Sequence, residues 1–141
     1  MSQCKKTYDF DNILVDEVWS NKGLFHRADG PAYISYFKNG KVNIEAWYIN
    51  GIYHRENGPV YIAYNEDRSV YHEVWRINNL LHREYGPAVI CNRSINPWEE
   101  WHINGNEITN EVNEWIVKYN IPHWTKWTNK EKAMFKLKFV R

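Results

Sequence analysis

Cysteine is nearly absent from this chain: Cys4 and Cys91 are the only two, and neither falls at a position that recurs along the sequence. A disulfide framework and a thiolate metal site are therefore not indicated, and a reducing, intracellular setting is expected. No apolar run approaches the length of a membrane span, and no early stretch has the form of a signal-peptide core, so a soluble chain outside the usual secretory route is expected. Charge of one sign is also missing. The net charge of +1 provides no chain-wide field to draw in nucleic acid or anionic lipid. That balance hides a split, since residues 1–122 sum to about −4 and residues 123–141 to about +5. Finally, no Ser/His/Asp or Cys/His set, paired-carboxylate motif or Gly-rich phosphate loop stands out, so neither a catalytic role nor a cofactor is expected.

What the chain has instead is aromatic side chains, with eight Trp and ten Tyr, and a repeat. Trp19, Trp47 and Trp75 lie 28 residues apart. In step with them run His26-Arg27, His54-Arg55 and His82-Arg83, then Gly30-Pro31, Gly58-Pro59 and Gly86-Pro87. Glu17, Glu45, Glu73 and Glu99 each precede a repeat Trp, or its counterpart Trp101, by two residues. A fixed period implies units that stack on their neighbours and bury a shared strip of core, so repeated residues are by default architectural. Scarce alanine and abundant Tyr and Trp favour strands.

In the middle unit, Val42–Ile49, Ile52–Arg55 and Val60–Tyr64 are separated by Asn50-Gly51 and by Glu56-Asn57-Gly58-Pro59. Asn-Gly between alternating apolar segments signals a two-residue hairpin loop, because both residues tolerate positive φ. About three short strands per unit are predicted, forming an antiparallel meander. The loop fixes register: Ile49 opposite Ile52, Tyr48 opposite Tyr53, Trp47 opposite His54 and Ala46 opposite Arg55. The neighbouring loops likewise set Trp19 opposite His26 and Trp75 opposite His82. Each full unit then has a Trp/His pair, with its Arg on the other face.

The fourth unit is shortened, with 26 residues from Trp75 to Trp101 and no His-Arg or Gly-Pro after Asn104-Gly105. Terminal repeats are expected to be atypical. The apolar period then changes. Thr109 can cap a helix with Val112, Trp115, Ile116 and Tyr119 in a stripe, stopped by Pro122, and Thr128 can cap a second helix carrying Met134, Phe135 and Leu137. The predicted organisation is an N-terminal segment 1–16, a β-repeat array 17–108 and a helical cap 109–141 lying over the last sheet edge. The fold class is mainly β, an antiparallel β-meander repeat with a short C-terminal helical cap.

The string Trp47-Tyr-Ile-Asn50-Gly51-Ile-Tyr-His54-Arg55-Glu-Asn-Gly58-Pro59 resembles the MORN repeat, whose hairpins run Trp, Asn-Gly, His-Gly and a further Gly. Arg55 stands where that pattern has the Gly after His, and two more residues precede the next Gly. The chain is similar over about residues 17–105 to a long variant of that repeat, found in tandem in large DNA viruses of amoebae. The resemblance implies a twisted β-meander used as a scaffold, sometimes dimeric, with lipid binding proposed for some members. It also implies a viral protein acting in the host cell, with the host cytoplasm as the expected place and virion or nucleus left open.

Several residue sets bear on binding. Equivalent histidines His26, His54 and His82 should lie about 10 Å or more apart, which excludes a shared zinc ion. Each is read as packed edge-on against its Trp, with ring nitrogens satisfied by turn backbone. Arg27, Arg55 and Arg83 are read as locked to the Gly-Pro loops, with an anion ladder as the alternative. Tyr33, Tyr48, Tyr53 and Tyr61 could present an aromatic groove, although a thin sheet must also cover its own faces. Nucleic acid is not expected, because the sheet portion is net acidic. Lys132, Lys136 and Lys138 at the basic end could meet anionic lipid, or could be the solvated face of a packed helix. The expected function is a non-catalytic interaction or scaffolding module whose partner is a protein or a second copy of itself, with an anionic-lipid binder as the alternative.

Overall fold

The computed structural model describes all residues 1–141 as an antiparallel meander followed by two helices. The main sheet consists of β1 (Gln3–Tyr8), β2 (Leu14–Asn21), β4 (Tyr33–Tyr36), β5 (Val42–Ala46), β8 (Tyr61–Tyr64), β9 (Val70–Val74), β12 (Val89–Cys91) and β13 (Trp98–Glu100) in that spatial order. Short strands make a second row: β3 (Leu24–Phe25) on the end of β2, then the hairpins β6–β7 (Tyr48–Ile49, Ile52–Tyr53), β10–β11 (Arg76–Ile77, Leu80–Leu81) and β14–β15 (His102–Ile103, Asn106–Glu107). The second and third units thus have four strands rather than three, two in the main sheet and two in a small hairpin, whereas the first has three because β2 runs on through Trp19 to pair with β3.

The extra break falls at the repeat tryptophan. The Trp47 N–H donates to the Val60 carbonyl in the main sheet at 2.8 Å, while its own carbonyl accepts from the His54 N–H at 3.1 Å in the small hairpin. Trp19 and Trp75 branch in the same way, through Ala32 and His26 and through Ala88 and His82. The pairings Ile49/Ile52 and Tyr48/Tyr53 are present as the two-residue loop requires. Ala46, however, pairs with Tyr33 and Tyr61 and not with Arg55, because the chain has left the main sheet by then. All four small-hairpin loops have positive φ at both central residues: Lys22-Gly23, Asn50-Gly51, Asn78-Asn79 and Asn104-Gly105.

Side chains alternate across the main sheet. One face carries an unbroken register row Lys6, Glu17, Ile34, Glu45, Ile62, Glu73, Ile90, Glu99. The opposite face carries Val18, Tyr33, Ala46, Tyr61, Val74 and Val89. Only 21 of 141 residues are buried, so no single thick core holds the sheet and most stabilisation comes from neighbouring units.

The largest buried cluster instead joins the fourth unit to the helices: Trp101, Ile103, Val112, Trp115, Trp127 and Phe135. Helix α1 (Thr109–Tyr119) supplies Val112 and Trp115, whereas Tyr119 is exposed. Its cap residue is Ile108, not Thr109; the Thr109 hydroxyl accepts from the Trp101 N–H at 3.0 Å and so is committed to the sheet. Helix α2 (Asn129–Phe139) begins at a capping box between Thr128 and Glu131, and buries Phe135 while leaving Leu137 outside. The helices cover the Trp101/Ile103 side of the last small hairpin, and the segment between them reaches β13, the last strand of the main sheet, where the Trp124 indole N–H donates to Glu99 at 3.0 Å.

Candidate functional site

Each full unit builds the same stack. The Arg27, Arg55 and Arg83 guanidinium carbons lie 4.2, 3.8 and 3.9 Å from the ring centroids of Trp19, Trp47 and Trp75. The arginine is therefore on the tryptophan's side, not the opposite one, because the backbone turns out of the sheet between them. Behind each guanidinium sits the loop glycine: a Cβ on Gly30, Gly58 or Gly86 would come within 3.0, 2.8 or 3.1 Å of the Arg carbon. The Nη1 groups donate to the carbonyls of Pro31, Pro59 and Pro87 at 3.3, 3.0 and 3.3 Å. A planar cation is held between an indole face and a glycine, its edge bonded to the proline carbonyl.

The three stacks differ in charge compensation. Arg27 pairs with Asp29 at 2.9 Å and Arg83 with Glu73 at 3.3 Å, whereas Arg55 makes no ion pair. Around Arg83 the Trp75 indole N–H donates to Glu73 at 2.8 Å, and Trp124 of the C-terminal segment lies over the guanidinium at 4.9 Å. Burial lowers the Arg83 pKa from its ordinary value, with Glu73 and Glu99 opposing the shift. No three His, Cys, Asp or Glu side chains converge on a metal-sized site.

The histidines couple units. No ring of His26, His54 or His82 is stacked on a tryptophan. Instead His26 Nδ1 accepts from the Asn50 N–H of the next unit's loop at 3.1 Å, and His82 Nδ1 accepts from the Asn104 N–H at 3.0 Å. Two backbone bonds accompany each: Arg27 N–H to Tyr48 and Gly51 N–H to Phe25 at the first junction, Arg83 N–H to His102 and Gly105 N–H to Leu81 at the third. Gly51 and Gly105 lie close under Leu24 and Leu80, where a Cβ would be 3.3 Å from the leucine.

The second junction, between β7 and β10, has none of these three bonds, and His54 is exposed. The equivalent of Gly51 and Gly105 is Asn79, which carries a Cβ where the two joined loops have none, and the equivalent of Leu24 and Leu80 is Ile52. Beside this junction is a cavity of about 480 Å³ lined by Arg55, Trp75, Arg76, Arg83, Trp124 and Lys132 among others. On the other side of Arg76 a second cavity, of about 260 Å³, is lined by Tyr53, Val60, Tyr61, His72 and Val74. No signal in local propensity distinguishes this junction; aligning the units on their tryptophans and reading the fourth residue after each one would have found it.

Along the small hairpins the aromatic rings form a row, with Phe25 and Tyr48 centroids 5.1 Å apart, Tyr48 and Tyr53 stacked at 4.3 Å, and Arg76 over Tyr53 at 5.5 Å. Tyr33 meets Phe25 edge-on at 6.4 Å, and Tyr61 meets His72 at 5.8 Å. The tyrosines are half-buried between the two rows of strands, and burial raises the phenol pKa of both Tyr48 and Tyr61. Outward from this row, Leu24, Ile52, Ile77 and Leu80 are 49% to 53% exposed. At the basic end, Lys136 reaches Glu84 at 4.0 Å and Lys132 sits 5.9 Å from the Tyr85 ring, so both face the sheet's third unit, while Lys138 lies against Phe139.

No family model, curated protein or solved structure matches this chain.

Proposed function

We propose that this protein is a non-catalytic interaction module whose outer row of small hairpins docks a protein partner. The observation that carries the reading is the set of Leu24, Ile52, Ile77 and Leu80, apolar side chains left about half exposed on β3, β7, β10 and β11 of the small-hairpin row. Apolar side chains gathered on one surface favour protein contact over solvent. A role inside an infected host cell, as a variant MORN-type scaffold, belongs to the same proposal and is supported by the Trp47–Pro59 string; a second copy of the chain is one candidate partner.

The test is capture from host-cell lysate on immobilised wild type beside an Ile52→Asp/Ile77→Asp variant whose circular dichroism matches wild type. Proteins held by wild type and released by the variant support the reading. Equal retention by both, or no specific retention, overturns it. Removing residues 123–141 is not a usable control, because Trp127 and Phe135 are part of the main buried cluster.

A second reading, an anionic-lipid binder, draws on Leu137, which is 83% exposed between Lys136 and Lys138. It requires salt-sensitive retention on anionic vesicles that is lost when Lys132, Lys136 and Lys138 become Gln. Absence of the protein from sedimented vesicles at low salt removes it.

A further inference from the structure

The open second junction deepens the interaction-module reading and rests on it. We infer that this junction receives an extended acidic peptide segment of the partner, which pairs with the free edge of β7 and places a carboxylate beside Arg55 and Arg76.

Three observations converge here. The first is backbone. At the first junction the Phe25 carbonyl and the Arg27 N–H are both bonded across to the next unit; their equivalents, the Tyr53 carbonyl and the Arg55 N–H, are not. A carbonyl and an N–H two residues apart on one strand edge are spaced to bond a single residue of a parallel extended chain through its own N–H and C=O. The second is charge. The cavity lining holds Arg55, Arg76, Arg83 and Lys132 against Glu56 and Glu84, a formal excess of two positive charges. Arg55 and Arg76 make no ion pair, and Arg76 bonds only the Asn79 carbonyl, at 2.7 Å. The third is composition. The junction departs from its neighbours at two positions that are coupled in space: Arg76 stands where the other units have Tyr48 and His102, and Asn79 where they have Gly51 and Gly105. One change leaves the edge unpaired, and the other supplies the cation beside it.

The probe is a fluorescent peptide of alternating Thr and Glu, compared with the same peptide carrying Lys for Glu, by anisotropy at moderate salt and by amide hydrogen exchange. The acidic peptide should bind and slow exchange at Arg55 about tenfold or more, while the basic peptide does neither. Because Arg55 is part of the Trp47 stack, charge is removed at Arg76 alone (Arg76→Gln), and Asn79→Gly independently closes the junction. Both variants should lose at least about tenfold in affinity. Equal binding of the two peptides, absence of binding, protection at β1 or β13 in place of Arg55, or full affinity in either variant overturns the inference. A protein captured in the lysate experiment together with no peptide protection at Arg55 would sink this assignment and leave the interaction module standing.

Discussion

At the scale of the residue, the glycine of each Gly-Pro pair is held by sterics, not by backbone freedom. Gly58 has no positive φ, yet a Cβ there would lie 2.8 Å from the Arg55 guanidinium carbon. Gly58→Ala should therefore push the arginine off Trp47 and cost about 1 to 3 kcal/mol, read from urea unfolding. The same substitution in an Arg55→Ala background should cost almost nothing, and a double-mutant cycle measures the difference. Tyrosines give a pH signature. Burial, reinforced by a hydrogen bond to Glu45 at 2.7 Å, pushes the Tyr64 phenol up from 10.0 to about 12. A folded-state pKa above the unfolded value means a stabilisation fully present below pH 10 and lost as pH rises through about 12. Tyr36 and Tyr61 shift in the same direction, so unfolding should become easier above pH 10, and tyrosinate absorbance should rise together with loss of circular dichroism. A simple independent titration near pH 10 with the fold intact would contradict it.

At the scale of the element, the open junction differs from the two joined ones by carrying Asn79 in place of a loop glycine. Asn79 already has φ of 62°, so glycine there relieves a strained residue and removes its Cβ together. Asn79→Gly should form the missing bond to the Tyr53 carbonyl, raise stability by about 1 kcal/mol and slow exchange of its own amide. Unchanged exchange at residue 79 would show that something other than the side chain holds the junction open. Much at this scale was legible in the sequence. The loops and their registers follow from Asn-Gly, where two positive-φ positions leave one geometry, and the Thr128 cap follows from the Glu three residues later. The arginine faces were not legible, because the alternation rule assumes an unbroken strand and the chain branches at each tryptophan. Nor was the cap at Ile108: Thr109 has the right chemistry, but the Trp101 N–H claims its hydroxyl. The ring nitrogens of His26 and His82 do meet turn backbone, as read, but the turn is the next unit's, which pairing arithmetic could not say because it describes a hairpin and not its neighbour.

At the scale of the whole molecule, cohesion is unevenly distributed. Trp19, Trp47 and Trp75 are only half-buried, covered by guanidinium and glycine, whereas Trp101 is 3% exposed beneath the helices. Phe135, with no exposed surface, contacts Trp101, Trp115 and Trp127 at centroid distances of 5.3 to 6.0 Å. Phe135→Ala should cost about 3 to 5 kcal/mol, and exchange should accelerate in the helices and fourth unit before it does in β2–β5. Uniform acceleration across the chain would show a single cooperative block instead. The tail's aromatic period was readable as helix, but its docking place was not, because nothing local says which unit lacks a neighbour. The branch at each tryptophan has a further consequence for how such a chain can vary. Successive units stay paired in the main sheet through β4–β5 and β8–β9 whether or not their small hairpins join, so a seam that a Gly-to-Asn exchange opens or shuts would change without disturbing the sheet beneath. Exchanging the two, with Asn at 51 and Gly at 79, would move the opening one unit toward the N-terminus; a peptide groove in this architecture has an address that point substitutions can rewrite.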